Sequence, residues 1–346
     1  MIISRTPFRI SFFGGGTDYP VWYKDNEGAV LSTSIDKYCY LTCRHLPPFF
    51  EYKHRIVYSK IELVKDIDEI HHPVVKACLN HMNINEGIAL HHEGDLPART
   101  GLGSSSSFAV GLLHCLYALR GMMPTKQRLA EEATYIEQEV LKESVGCQDQ
   151  IVAAYGGFNK ICFYHDGTSH VEPIVLPKNQ LNLLQSHLML YFTGFSRVAS
   201  RVAKKQIKNT LHKNKELTAI YQMVEEAKNI LLSGNDINKF GELLHETWML
   251  KRSLTDKIST EVIDQIYDQA RRAGATGGKL LGAGGGGFMV FFVRPELQPS
   301  VRARLNGLLE VQFQFEVGGS QIIFYRETPA NEGMPTPQPI VLNSKH

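Results

Sequence analysis

The sequence predicts a protein with two domains, each built from both strands and helices. Its 346 residues exceed the roughly 100–200 typical of one domain, and 43% of them are apolar, enough for two cores. The first 60 residues contain short β-branched and aromatic runs, whereas long helical patterns dominate after residues 173–179, where the composition changes. We therefore predict a first domain at residues 1–175, a second at 176–330 and a Pro-rich tail at 331–346.

Each predicted element follows from a local pattern. The runs RISFF, AVLSTSI, YCYLTCR and IALHH are predicted strands, since they are β-branched or aromatic and lie between Gly, Pro and Asp clusters. An uncharged helix is predicted from residue 108 to Gly121, and the next helix from its N-cap, Thr125, to Glu143. Further helices are predicted at 197–213, 216–232, 236–253 and 260–273, followed by a strand FMVFFV, another helix, and a strand at 321–325.

Composition and charge exclude several classes of protein. With 37 Lys and Arg against 35 Asp and Glu, the net charge of +2 is small for a protein whose main ligand is nucleic acid. The six cysteines form no C-x-x-C pair, so we predict reduced thiols and no zinc site. The uncharged stretch 101–119 is interpreted as a buried helix, because its serines and His114 would be costly in a membrane. We expect a cytoplasmic protein without nucleic-acid or membrane partners; a homodimer stays open.

Three glycine-rich segments are candidate phosphate sites, because backbone N–H groups at a helix start bind anions well. We call them the first glycine loop (14–18), the serine loop (101–107) and the second glycine loop (282–287). The second glycine loop matches GxGxxG, but the strand-like FMVFFV follows it, whereas a dinucleotide-binding loop opens a helix. The serine loop leads from a strand into an uncharged helix, and its hydroxyls are candidate Mg²⁺ ligands.

The three segments also resemble the ordered motifs of a known family. Residues 7–18 (PFRISFFGGGTD), 97–105 (PARTGLGSS) and 279–287 (KLLGAGGGG) are similar to the three motifs of the GHMP kinases, a family that includes galactokinases and mevalonate kinases. The segment RISFFGGGTDYP (residues 9–20) is most similar to the heptose-phosphate kinase branch of the family and, more distantly, to fucose kinases.

The resemblance implies a two-domain α+β fold with the nucleotide and the substrate in the cleft between the domains. It also implies ATP and Mg²⁺, and phosphorylation of the anomeric hydroxyl of a sugar phosphate such as heptose 7-phosphate in GDP-heptose synthesis. Two alternatives stay open. One is a fucose-like or uronic-acid kinase that acts on an unphosphorylated sugar, and the other is a non-catalytic sugar sensor.

The resemblance assigns the reactive residues. It makes Asp149 the acid that orients the sugar hydroxyl or accepts its proton, and Arg9 the partner that keeps Asp149 ionised. Mg²⁺ would be held by Ser105 and Glu139, with Glu137 as the alternative, because helical periodicity does not separate the two glutamates. The predicted nucleotide-binding residues are Pro97, Gly101, Leu102, Gly103, Ser104, Ser105, Ser106 and Ser107.

Substrate recognition is predicted at two places. The family's sugar-binding position falls on Asp18, and Gly15-Gly16 replace a Glu-His pair of galactokinases, which argues against galactose. A basic stripe that includes Arg197 and Arg201 is interpreted as a clamp for the substrate's own phosphate, although a solvated face or contact with RNA or acidic lipid would also fit. The full predicted set is Gly15, Gly16, Thr17, Asp18, Arg197, Arg201, Gly284 and Gly285, with Lys251 and Arg252 as weaker candidates.

Overall fold

The computed structural model describes residues 1–194, 199–234 and 236–326. Its strands are β1 (Ile2–Phe13), β2 (Gly28–His45), β3 (His54–Val57), β4 (Ile61–Val64), β5 (Ile88–Gly94), β6 (Phe158–Phe163), β7 (Ser169–Pro173), β8 (Leu188–Phe192), β9 (Ala275–Leu280), β10 (Phe288–Val293), β11 (Leu309–Glu310), β12 (Phe315–Glu316) and β13 (Gln321–Tyr325). Its α-helices are α1 (Pro20–Asn26), α2 (Pro73–His81), α3 (Ser104–Leu119), α4 (Lys126–Tyr135), α5 (Gln148–Tyr155), α6 (Lys178–Ser186), α7 (Ala199–Asn209), α8 (Asn214–Ser233), α9 (Asn238–Ser253), α10 (Glu261–Arg272) and α11 (Gln298–Arg304).

The first sheet is organised around β2. Its strand order is β13-β1-β2-β5-β3-β4, with β6 and β12 also paired to β2 and β7 paired to β6. We predicted two strands, AVLSTSI and YCYLTCR, where the structure has one strand of 18 residues. Asp36 and Lys37 lie between the two runs and have no partners on β1, opposite the step from Pro7 to Phe8. The extra residues therefore form a bulge in a continuous strand instead of ending it.

Helix α3 is the uncharged helix predicted after the serine loop. Nearly all of its residues from 106 to 118 are buried, because it packs on β1 and β2 and also contacts α4 and α5. A helix that is apolar all round fits such a central position. Within the described ranges no helix is long and apolar enough to cross a membrane. All six cysteines are free and five of them are buried, in agreement with the prediction of reduced thiols.

The second sheet carries the later helices. Its strand order is β11-β8-β10-β9, and α9 and α10 pack against β9. All six residues of β10, the FMVFFV run, are buried in the middle of this sheet. The second glycine loop therefore leads into a strand, as the sequence predicts, and not into a dinucleotide-binding helix.

The end of the described chain corrects the predicted domain boundary. Strand β13 pairs with β1 and β12 pairs with β2, so both belong to the first sheet. The prediction that 176–330 form one C-terminal domain is thus wrong for this last part. The local pattern identifies Gln321–Tyr325 as a strand, but a strand's pattern does not state which sheet edge it joins. The predicted tail at 331–346 lies outside the described residues.

Candidate active site

The serine loop forms the start of α3. Gly101 and Gly103 have positive φ angles of 85° and 75°, and Gly103 is the residue before the helix. Two of the following serines form hydrogen bonds with the backbone. Ser104 Oγ accepts the Arg99 N–H at 2.9 Å, and Ser107 Oγ donates to the Pro7 carbonyl oxygen at 2.8 Å. Ser105 is exposed. The helix N–H groups are therefore available to an anionic ligand such as a phosphate, and the exposed Ser105 side chain lies beside them.

The second glycine loop lies directly against the serine loop. Phe288 N–H donates to the Thr100 carbonyl oxygen at 3.2 Å, and a Cβ on Gly282 would lie 2.5 Å from the Cα of Gly101. A Cβ on Gly101 would in turn lie 2.3 Å from the Leu281 carbonyl oxygen. The two loops touch backbone to backbone, so these positions require glycine for space as well as for conformation.

A glycine pair can test this close contact. Gly121 has a positive φ of 66° like Gly101, but a Cβ there would meet nothing within 4 Å. Gly121→Ala should therefore lower the free energy of unfolding only by the backbone cost, about 1–2 kcal/mol. Gly101→Ala should lower it clearly more and reduce nucleotide binding. Denaturant unfolding of both variants measures the difference, and equal losses would contradict the contact.

Arg9 and Asp149 form a two-point ion pair beside the serine loop. Arg9 Nε and Nη2 donate to the two carboxylate oxygens of Asp149, each at 2.8 Å, and Nη1 donates to the Gly101 carbonyl oxygen at 2.6 Å. Arg9 is 4% exposed, whereas a quarter of the Asp149 side chain is open to solvent. The strand β1 and the first turn of α5 thus hold a fixed carboxylate next to the phosphate cradle, where a substrate can reach it.

The first glycine loop brings a second carboxylate close to Asp149. Asp18 is 3% exposed and accepts the Gly16 N–H at 2.9 Å. Burial raises the pKa of Asp18, the Gly16 N–H opposes that rise, and the nearby charge of Asp149 adds to it. The Thr17 hydroxyl lies 2.9 Å from the carbonyl oxygens of Gly14 and Ala29, so it shapes the loop from inside.

The other predicted substrate-binding residues have fewer contacts with the Asp149 and Asp18 carboxylates. Gly15 is buried in the first glycine loop. Gly285 N–H donates to the Ile258 carbonyl oxygen at 2.9 Å, and a Cβ on Gly284 would lie 2.7 Å from the same oxygen. The predicted phosphate clamp is not placed at all, because Arg197 and the side chain of Arg201 lie outside what the structure describes.

The two candidate glutamates face different ways. Glu137 is fully buried, and its Oε2 accepts hydrogen bonds from Ser106 Oγ at 2.7 Å and from Gln150. Glu139 is exposed and pairs with Lys142 at 2.8 Å. The prediction that Glu139 meets the serine loop therefore disagrees with the structure. Glu137 follows the buried Ala133 by four residues and so stays on the buried face of the helix, whereas Glu139, in the π-helical turn Ile136–Val140, does not.

Glu137 has the features of a carboxylate that awaits a ligand. Burial raises its pKa to about 7, against the opposing effect of hydrogen bonds from Ser106, Gln150 and Ser105. Its Oε1 is buried and has no hydrogen-bond partner among the described residues. A free carboxylate oxygen near a serine hydroxyl and a phosphate site is the donor set that Mg²⁺ takes when phosphates and water complete its shell. The described residues contain no cluster of three or more side chains suited to an all-protein metal site.

Two family profiles match the chain. The profile of the "GHMP kinases N terminal domain" matches residues 69–157, and that of "GHMP kinases C terminal" matches residues 217–310. D-glycero-alpha-D-manno-heptose 7-phosphate kinase of Campylobacter jejuni is 29% identical, over 85% of this chain and 90% of its own. Galactokinase of Pyrococcus furiosus is 27% identical, over 84% of this chain and 89% of its own.

Solved structures share the fold. A putative sugar kinase from Campylobacter jejuni superposes with a TM-score of 0.71 at 26% identity, covering 93% of this chain and 98% of its own. A D-glycero-D-manno-heptose 1-phosphate kinase from Bacteroides thetaiotaomicron superposes with a TM-score of 0.78 at 24% identity, covering 94% of this chain and 100% of its own. At that identity the second likeness concerns the fold alone.

A phosphate cradle at a helix start, with a carboxylate and guanidinium pair beside it, fits the needs of phosphoryl transfer, and the family matches identify an ATP-dependent kinase. The two profiles, in their proper order, together match more than half of the 346 residues. The chain belongs to the GHMP kinase family, and the relatives that cover most of its length include kinases of sugars. The predicted α+β fold of that family is confirmed.

Proposed function

We propose that this sugar kinase of the GHMP family transfers the γ-phosphoryl group of ATP to the anomeric hydroxyl of D-glycero-D-manno-heptose 7-phosphate. The observation that carries the proposal is the Arg9–Asp149 pair beside the serine loop, because it places a reactive carboxylate next to a phosphate cradle. The choice of sugar is supported by the Campylobacter jejuni relative, which is named for that substrate and aligns over 85% of this chain.

The reaction needs alignment and charge compensation more than covalent help from the protein. In the proposal the serine loop holds the ATP phosphates with its N–H groups, and Asp149 orients the sugar hydroxyl and takes up its proton. Arg9 keeps that carboxylate ionised and in place through two hydrogen bonds. Asp18 is the candidate acceptor for other sugar hydroxyls.

Mg²⁺ fits the residues at the start of α3. Glu137 and Ser105 are the residues that would hold it, because Glu137 carries a buried oxygen without a partner and Ser105 is exposed beside it. When bound there, Mg²⁺ would neutralise negative charge on the ATP phosphates. Glu139, the first choice from the sequence, is replaced by Glu137 in this proposal.

A direct test compares acceptors. The purified enzyme is supplied with ATP and, in separate reactions, heptose 7-phosphate, free heptose, fucose, galactose or mevalonate, and ADP release is followed. We expect the highest kcat/KM with heptose 7-phosphate, and ³¹P NMR should show a new phosphate on the anomeric carbon. A preference for unphosphorylated fucose or heptose would contradict the proposed substrate, and no turnover with any acceptor would favour the sugar sensor.

The predicted clamp at Arg197 can be tested with the same assay. If Arg197 binds the 7-phosphate, Arg197→Ala should weaken binding of the phosphosugar while KM for ATP stays near wild type. A charge-assisted hydrogen bond contributes about 1.5–3 kcal/mol, so the affinity should fall by roughly 10- to 150-fold. Arg201→Ala should act in the same direction. Free heptose is the control acceptor, since its binding should not change.

A further inference from the structure

Lys251 is a buried cation that the mechanism above does not use. It lies in the last turn of α9 and is only 6% exposed. Its ammonium donates to the Gly282 carbonyl oxygen at 2.6 Å, which is its one hydrogen-bond acceptor among the described residues. None of the described carboxylates lies within ion-pair distance of it. An ammonium has three N–H groups, so two of them have no partner among the described residues.

Burying a charged group without hydrogen-bond partners costs free energy. The reactive residues also affect the pKa of Lys251. Burial, together with the nearby charge of Arg9, lowers the pKa of Lys251 to about 8, against the opposing effect of Asp18 and Asp149. The ammonium therefore lies in the same charge cluster as the carboxylates of the proposed site. It is not an isolated core residue.

The position of Lys251 is defined by the contact between two loops. Its acceptor, Gly282, touches Gly101, and the carbonyl oxygen of Gly101 accepts a hydrogen bond from Arg9. Lys251 and Arg9 thus hold the carbonyl oxygens of two glycines that are in contact with each other. One cation comes from the second sheet's helix layer and the other from the first sheet. Asp149, bound to Arg9, lies beside the same point.

We propose that Lys251 is a further catalytic residue, whose two free N–H groups bind the anionic oxygens of the phosphoryl group during transfer. The proposal rests on the kinase chemistry described above. In that step the bond from the γ-phosphorus to the bridging oxygen breaks, and its electron pair leaves with ADP. A bond forms from phosphorus to the sugar oxygen, whose proton goes to Asp149. Lys251 gives up no proton. Its positive charge stabilises the negative charge on the oxygens of the phosphoryl group during transfer.

Two other cations on nearby elements show what a purely structural role looks like. Lys279, on β9, is 1% exposed and donates to the Phe12 carbonyl oxygen, which joins the second sheet to β1. Arg252, the residue after Lys251, is partly exposed and pairs with Asp264 at 3.0 Å. The matched control is Lys239, which carries the same charge on the same helix and is exposed in its first turn.

The test compares Lys251→Met, Lys251→Ala and Lys239→Met with saturating ATP and the acceptor that the wild type phosphorylates best. Removing one donor to a developing charge typically costs about 10²–10³ in kcat. We expect a loss of that size in Lys251→Met with KM values near wild type, partial recovery of Lys251→Ala by added methylammonium, and no loss in Lys239→Met. Removing an unpaired buried charge should not lower the unfolding midpoint.

A pH profile gives a second readout that packing alone would not produce. Since the ammonium form is the active one, wild-type kcat should decline as pH rises past about 8, the pKa of Lys251. Lys251→Arg keeps its charge there, so that decline should disappear from its profile. The charged groups that face Lys251 are Arg9 on β1, Asp18 in the first glycine loop, Asp149 on α5 and Lys279 on β9.

Two outcomes would overturn the proposal. One is wild-type kcat in Lys251→Met. The other is a loss that methylammonium does not restore and that accompanies a lower unfolding midpoint, which would make Lys251 a structural residue. Failure of heptose 7-phosphate as an acceptor would contradict the proposed function alone, because the comparison of variants uses whichever acceptor the wild type accepts.

Discussion

Asp149→Asn should lower kcat by about 10²–10⁴-fold, the contribution typical of a group that moves a proton in the transition state. Asparagine has nearly the same size as aspartate and keeps one oxygen that can accept from Arg9, so the pair retains part of its geometry. It has no carboxylate to take the proton of the acceptor hydroxyl. Affinity for ATP should stay near wild type, because the phosphates are assigned to the serine loop and not to Asp149.

The comparison needs a control for folding and for charge. Arg9 is buried and loses its anionic partner in this variant, so the unfolding midpoint has to be measured alongside kcat. Asp166→Asn is the matched variant, since Asp166 is exposed and accepts hydrogen bonds from Thr168 in the turn before β7. Normal turnover by the Asp149 variant, or the same loss of kcat in the Asp166 variant, would contradict a catalytic role for Asp149.

Much of the fold follows from the sequence because its signals are local. Thr125 was predicted as a helix N-cap, and its side chain accepts the Arg128 N–H at 3.1 Å. Glycine at 101 and 282 was predicted for phosphate binding, and the structure adds a second reason, the close contact of the two loops. What local patterns do not contain is the partner of an element. The return of β13 to β1 joins residues more than 300 positions apart in the chain.

The same difference between local signals and long-range contacts applies to the candidate active site. The pairing of Arg9 with Asp149 was expected from the family's motifs, and the structure brings the two side chains together across 140 positions. The choice between Glu137 and Glu139 depends on the helix register. The spacing of four residues from the buried Ala133 favours Glu137, so the sequence contained a signal that the family's motif outweighed. Lys251 was a weak candidate because sequence does not show that a lysine is buried without a carboxylate partner.

Glu137→Gln should raise the Mg²⁺ concentration needed for half-maximal rate by at least about 10-fold. Replacing a residue that only supports a metal ligand costs about 10–100-fold in metal affinity or activity, and a direct anionic ligand should cost no less. Glutamine keeps an oxygen that can accept from Ser106 and Gln150, so the local hydrogen bonds survive. What the variant loses is the negative charge opposite the metal.

The expected stability of Glu137→Gln allows a loss of metal binding to be distinguished from a loss of folded protein. Burial raises the pKa of Glu137 to about 7, which means that the folded protein without metal disfavours its charged form. A neutral side chain at 137 should therefore leave the unfolding midpoint unchanged or raise it. A loss of activity would then not be a loss of folded protein.

Glu139→Gln is the matched control on the same turn, because Glu139 is exposed and bonds to Lys142. Its Mg²⁺ requirement should equal that of the wild type. Rate is measured by ADP release over a Mg²⁺ titration at one fixed ATP concentration, so that formation of the metal–ATP complex is common to all three proteins. If Glu139→Gln raised the requirement more than Glu137→Gln did, the register in the structure would be wrong and the ligand predicted from the sequence would be restored.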